Sequence, residues 1–101
     1  MVNAENRRAP RANVAVRCAL RRGSGSSIPA ETLNLGPGGA LLRTRRPLTI
    51  DESLEFALDM RIVAPARVLR QEGHDVYALR FENPPEPMVR RLHELTVGAL
   101  H

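Results

Sequence analysis

Three arginines crowd one five-residue run near the start of the chain: Arg7, Arg8 and Arg11, with Arg7 and Arg11 spaced as Arg-x-x-x-Arg. Each guanidinium is a planar fork of donors that fits phosphate oxygens and the acceptor edge of a purine. In an extended segment residues four apart lie ~13 Å from each other, so Arg7 and Arg11 can reach different parts of one ligand. A second cluster, Asn34-Leu35-Gly36-Pro37-Gly38-Gly39, joins a polar amide to a Gly/Pro turn. Such a turn reverses the chain tightly, at positions expected to need positive φ, and lets backbone approach a neighbour closely.

The rest of the chain supplies few rivals for chemistry. Cys18 is the only cysteine, which excludes an internal disulfide and a cysteine zinc cluster. It continues an apolar strand face and reads as a small buried hydrophobe. His74, His93 and His101 share no metal-ligand spacing. No Ser/His/Asp, Cys/His or paired-carboxylate constellation is present, so the expectation is a binding protein and not an enzyme. Arg43, Arg67, Arg70 and Arg80 fall on strand patterns, where arginines are usually solvated; of these Arg70 is carried forward as a candidate ligand contact.

All 15 basic residues are arginine. Six of them against Glu5 give residues 1–22 a net charge of +5, whereas residues 23–101 hold nine arginines against ten acids. The whole excess sits in the first fifth of the chain and points to an anionic partner there. Specific DNA or RNA binding is not expected. Three aromatics offer few stacking platforms and the body has no basic stripe. No apolar run approaches the ~20 residues of a membrane span, and no signal-peptide stretch opens the chain, so a cytoplasmic protein without membrane insertion is expected.

The elements that must position these residues follow from periodicity. With 101 residues, 43% of them apolar, the chain suits one globular domain. Residues 1–9 lack apolar anchors and read as a flexible arm, followed by Pro10, which excludes a helix. From Asn13, Val14, Val16, Cys18 and Leu20 alternate with Ala15, Arg17, Ala19 and Arg21, which predicts a first half-buried strand. Further strands are expected at Ile28 to Leu35, Ala40 to Thr44, Leu54 to Met60, Ile62 to Gln71 and Val76 to Phe81. Pro65 suggests an edge or a bulge. After Asn83-Pro84-Pro85-Glu86-Pro87, the spacing of Met88, Leu92, Leu95 and Ala99 predicts an amphipathic helix over 86–100. Its start is expected at Asn83 or Glu86. The predicted architecture is mainly β: a six-stranded antiparallel barrel over 12–83, its open end covered by the helix. With so few aromatics its core must be aliphatic.

On this strand pattern, Arg-x-x-x-Arg followed by Asn34-x-Gly36-x-x-Gly39 resembles the paired signature of the PilZ family, Arg-x-x-x-Arg and Asp/Asn-x-Ser-x-x-Gly. The Gly-Gly-Ala-Leu-Leu continuation and the late Tyr-Ala-Leu-Arg-Phe strand are similar too, so the likeness covers nearly the whole chain. One position departs: the serine of the signature is Gly36 here. The resemblance implies a split-barrel fold and a receptor for cyclic di-GMP, with no other cofactor. It assigns Arg7 and Arg11 to ligand contacts, Arg8 to an auxiliary one, Asn34 to a guanine edge, Gly36 to the ligand-facing place of the signature serine, and the Gly39 backbone to close approach to the ligand. It implies further that ordering of the arm passes the signal to an unidentified downstream protein. The alternative from another class is a PilZ-like adaptor that acts through protein contacts and no longer binds nucleotide, as the missing serine suggests.

Overall fold

A computed structural model describes residues 12–23, 25–59 and 61–100. Six strands appear in chain order: β1 (Arg17–Arg21), β2 (Ser27–Gly36), β3 (Gly39–Arg43), β4 (Ser53–Ala57), β5 (Val63–Gly73) and β6 (Val76–Phe81). They close into an antiparallel barrel in the order β1-β2-β3-β6-β5-β4, with β4 returning to β1. Closure leaves none of these strands as a free edge. The predicted barrel and its six strands are therefore present, as is the helix α1 (Glu86–Leu100).

Alternation sorts the side chains. Leu20, Leu35, Leu42, Phe56, Val68 and Leu79 point inward and are fully buried, each contributing about 1.5–3 kcal/mol from burial. Few as they are, the aromatics are all interior: Phe56, Tyr77 and Phe81 are 0%, 3% and 6% exposed. Phe56 and Phe81 pack with ring centroids 5.0 Å apart at 45°. The core is thus aliphatic around one aromatic pair. Met88 and Leu92 of α1 join it from outside the barrel, where the helix packs against β2. Thr96 occupies the next position of that buried stripe, its hydroxyl donating to the Leu92 carbonyl at 2.7 Å.

Two expected strand boundaries move for local reasons, and the helix takes the second of its two expected starts. The first strand begins at Arg17 and not at Asn13: regular β1–β2 pairing ends at Arg17–Glu31, level with the residue before the Thr32–Asn34 bulge that β2 makes against β3. Beside it the backbone N–H of Val16 donates to the Thr32 hydroxyl (2.9 Å), which itself donates to the Val14 carbonyl. Residues 12–16 therefore run along β2 as a strap, and Val14 and Val16 are only half-buried. The fourth strand stops at Ala57. Asp59 accepts from the backbone N–H groups of Arg61 (2.7 Å) and Ile62 (3.0 Å), turning the chain where alternation suggested extension to Met60; Met60 itself lies outside the described residues. The helix begins at Glu86, since the Pro85 carbonyl accepts the first helical bond, from the Val89 N–H at 3.0 Å. Asn83 is in the left-handed region (φ 47°), outside the helix.

Pro65 is neither on a free edge nor at a bulge. It sits opposite Glu55 on one side and just beyond the end of β6 on the other. Its carbonyl accepts from the Glu82 N–H at 2.8 Å, and the N–H it lacks faces only the residue after β6.

Candidate functional site

The second sequence cluster forms the β2–β3 hairpin. Gly36 ends β2, Gly39 opens β3 opposite it, and Pro37-Gly38 make the two-residue turn. Against expectation, no glycine of this turn is left-handed; Gly23 alone has positive φ among the described glycines. Gly39 is needed for another reason. A Cβ there would stand 2.1 Å from the Leu79 carbonyl oxygen, so the position admits only glycine while β3 and β6 pair. Close backbone approach is real, and within the described residues the backbone approached is the barrel's own.

Strand register then places the candidates on the outer surface. Asn34 lies opposite Leu41, Leu41 opposite Ala78, and Ala78 opposite Arg70. These four residues make one row across β2, β3, β6 and β5, some 14 Å from end to end at ~4.8 Å per strand. Its middle is apolar: Leu41 is half-buried and Ala78 is 4% exposed. Its two ends are an amide and a guanidinium. The Arg70 side chain is 59% exposed and pairs with Glu72. A parallel row runs Gly36, Gly39, Arg80, Arg67.

Asn34 is the anomaly of the surface. Its Oδ1 is buried and has no hydrogen-bond partner among the described residues. An acceptor in that condition costs about 1–3 kcal/mol and is a place where an N–H donor from a ligand or an arginine is favoured. The Thr32–Asn34 bulge aims this residue. One residue further on, Ala12 bridges Leu35 by two backbone hydrogen bonds of 3.0 and 2.9 Å. In sequence Arg11 immediately precedes that anchor. Arg7, Arg8 and Arg11 themselves, with the expected arm over 1–9, lie outside the described residues.

The register also reveals what sequence reasoning passed over. Arg80 lies directly opposite Gly39, 58% exposed and only 3.9 Å from Glu82. Arg67 lies across from it, holding Glu82 at 3.0 Å and Asp51 at 3.4 Å. Those bonds, the one to Glu82 above all, raise the Arg67 guanidinium above its ordinary value and commit it to the fold. Only strand pairing, which no local pattern encodes, distinguishes the two. Arg43 is held by Asp75 at 3.6 Å.

Cys18 is half-buried, packed against the core and not within it. Desolvation, helped by the Glu31 carboxylate, pushes its thiol up to about 12, which leaves no thiolate nucleophile at neutral pH. Among the described residues no group of three or more His, Cys, Asp or Glu side chains is placed to hold a metal. Among the described residues no helix is long and apolar enough to cross a membrane. What the surface can do is hold a flat, partly apolar molecule between hydrogen-bonding ends, one of them an acceptor in want of a donor.

Solved structures similar to this chain include PilZ domains. The PilZ domain of CeSA from a cellulose-synthesizing bacterium aligns with a TM-score of 0.68 at 17% identity, over 92% of this chain and 100% of that one. The inhibitor of motility MotI/DgrA of Bacillus subtilis aligns at 0.75 and 15%, over 96% of this chain and 51% of that one. YcgR of Escherichia coli, solved in complex with c-di-GMP, aligns at 0.69 and 17%, over 91% and 45%. The chain thus spans about half the length of the last two. No curated protein matches the sequence. At these identities the structures speak for the fold alone, but the family model for the PilZ domain matches residues 5–98. The sequence signature, the closed barrel and that match agree: the chain belongs to the PilZ domain family.

Proposed function

We propose that this domain is a cyclic di-GMP receptor whose N-terminal arginine arm orders around the ligand and thereby signals to a partner protein. The observation that carries this reading is the buried, unpartnered Asn34 Oδ1 at the end of the Leu41–Ala78 platform, one residue from the Ala12–Leu35 anchor of the arm. A guanine edge offers N–H donors to that oxygen. The ligand's phosphates and its N7 and O6 acceptors suit the forks of Arg7 and Arg11, with Arg8 beside them and Arg70 at the platform's far end. E. coli YcgR, similar in fold, is solved with this nucleotide.

The mechanical step is local. With ligand, the arm's arginines gain charge-assisted bonds, and the strap at 12–16 carries the change along β2 to β1. Amide shift mapping on adding cyclic di-GMP tests the reading. Perturbations at Asn34, Leu41, Ala78 and Arg70, with slower motion at Arg7 and Arg8, are expected. Shifts confined to other faces, or an arm that stays equally fast at saturation, would oppose it. Gly36 at the serine position favours a second reading, an adaptor that meets its partner without nucleotide.

A further inference from the structure

Outside the platform, Arg17, Arg43, Arg45 and Arg46 line one open hollow of about 790 Å³, together with Glu31 and Asp75. It starts two residues beyond Leu41 on β3, ~7 Å along the strand, and shares no lining residue with the Asn34–Leu41–Ala78–Arg70 row. Arg17, Glu31 and Arg43 are successive partners across β1, β2 and β3, which sets positive, negative and positive charges side by side. Arg45 and Arg46 follow on a loop fastened at both ends. Thr44 donates through its N–H to the Asp75 carbonyl (2.9 Å) and through its hydroxyl to the Pro29 carbonyl (3.0 Å). The Pro47 carbonyl accepts from Arg22 at 2.7 Å. The body of this protein is otherwise near neutral, so a fixed hollow with four arginines and two acids is a local charge surplus.

The geometry points to a docking site for an extended acidic segment of the partner protein, which deepens the receptor reading above and rests on it for the existence of that partner. Charge decides the occupant. Arg43 is engaged by Asp75, whereas Arg17, Arg45 and Arg46 have no ion pair within 4 Å among the described residues. A compact polyphosphate would be forced against Glu31 and Asp75. A peptide with spaced carboxylates meets the arginines and passes between the acids, whose oxygens accept from its backbone N–H groups. A single-stranded nucleic acid lacks its usual platform, since no aromatic side chain lines the hollow among the described residues. The position is apt for coupling as well. The strap at 12–16 joins the arm anchor beside Asn34 directly to Arg17.

The test uses a fluorescein-labelled synthetic peptide of alternating Glu and Ser, its Gln-Ser counterpart, inorganic pyrophosphate and oligo(dT), at fixed moderate salt. Amide shifts from the Glu-Ser peptide should map to Arg17, Arg43, Arg45, Arg46 and Asp75. The double variant Arg45→Ala/Arg46→Ala should weaken that peptide by about three- to thirtyfold, the loss of two exposed ion pairs, while its cyclic di-GMP titration matches wild type. Both residues are exposed, so the variant keeps the fold. Several results would overturn the site: no shifts at ~1 mM peptide; equal binding of the Gln-Ser peptide; equal or tighter binding of pyrophosphate or oligo(dT); or loss of peptide binding on Arg7→Ala/Arg11→Ala and not on Arg45→Ala/Arg46→Ala. Failure of the wild type to bind cyclic di-GMP, with the peptide results intact, removes the receptor reading and leaves the docking site standing.

Discussion

Gly39→Ala isolates the claim that this glycine serves the barrel. The added methyl would sit 2.1 Å from the Leu79 carbonyl oxygen and 3.2 Å from its carbon, whereas ordinary contact begins at 3.4 Å. Backbone has no rotamer with which to yield, so β3 and β6 must part by more than an ångström at Gly39–Arg80. Overpacking of this kind costs about 1–3 kcal/mol. A weakened ladder bond at that point, such as the 3.0 Å bond from the Phe81 N–H to the Gly38 carbonyl, adds about 0.5–1.5 kcal/mol. The total, about 2–4 kcal/mol, is a large part of the 5–15 kcal/mol that holds a domain together. At roughly 4–8 °C per kcal/mol for this size, Tm should fall by about 10–30 °C. Gly38→Ala is the internal control. No heavy atom lies within 4 Å of a Cβ there and its φ is not left-handed, so Tm should move little. The assay is paired thermal unfolding by circular dichroism, followed by cyclic di-GMP titration of any variant still folded. A Gly39→Ala protein as stable as Gly38→Ala would refute the register at β3–β6 and the packing role with it.

Other outcomes follow from the same surface. Arg7→Ala and Arg11→Ala should each lose a charge-assisted contact of about 1.5–3 kcal/mol, ten- to hundredfold in calorimetric affinity for cyclic di-GMP, with Tm nearly unchanged. Gly36 lies in β2 without positive φ, so Gly36→Ser meets no left-handed strain. Restoring the serine of the signature should tighten the nucleotide by about two- to tenfold in the same titration; equal affinities would show that this position makes no ligand contact. The Arg22 fork donates to both Glu52 oxygens at 2.7 and 2.9 Å and, with the Thr49 N–H, holds that carboxyl below the usual carboxylate range against the pull of burial. A depressed carboxyl contributes stability above its unfolded value and loses it as pH falls through its folded value. Glu52→Gln should therefore destabilise the domain at pH 7, by about 1 kcal/mol for a partly exposed pair, and flatten the acid side of the Tm profile below about pH 4.5. An unchanged acid limb would remove Glu52 from the account.

Much of the fold was legible because period-2 alternation is a local property. Leu54, Phe56 and the run from Val76 to Phe81 show it directly, and Met88 and Leu92 show the helical counterpart. What escaped depended on hydrogen bonds between segments. The Thr32 hydroxyl that captures Val14 and Val16, and the Asp59 carboxylate that turns 59–62, leave no trace in apolar periodicity. The site divides in the same way. Asn34 and the hairpin glycines were marked by composition, but the reason for Gly39 appears only when Leu79 is set against it. Arg67 and Arg80 look identical in sequence, and only Glu82 and Asp51 distinguish the structural arginine from the exposed one. Arg70 was the hardest to place, since a bulge between Val68 and Arg70 brings it into the Asn34 row.

The central claim is that Asn34 and the arginine arm form one nucleotide site on the β2–β3–β6–β5 face. Calorimetric titration of wild type and Asn34→Ala with cyclic di-GMP at fixed salt tests it most directly. The account predicts saturable binding by wild type, weakened about ten- to hundredfold in Asn34→Ala with no loss of Tm, because the substitution removes a buried acceptor that has no partner among the described residues. Absence of binding by the folded wild type, or equal binding by both proteins, would contradict it, and the first result would leave the nucleotide-free adaptor as the reading that stands.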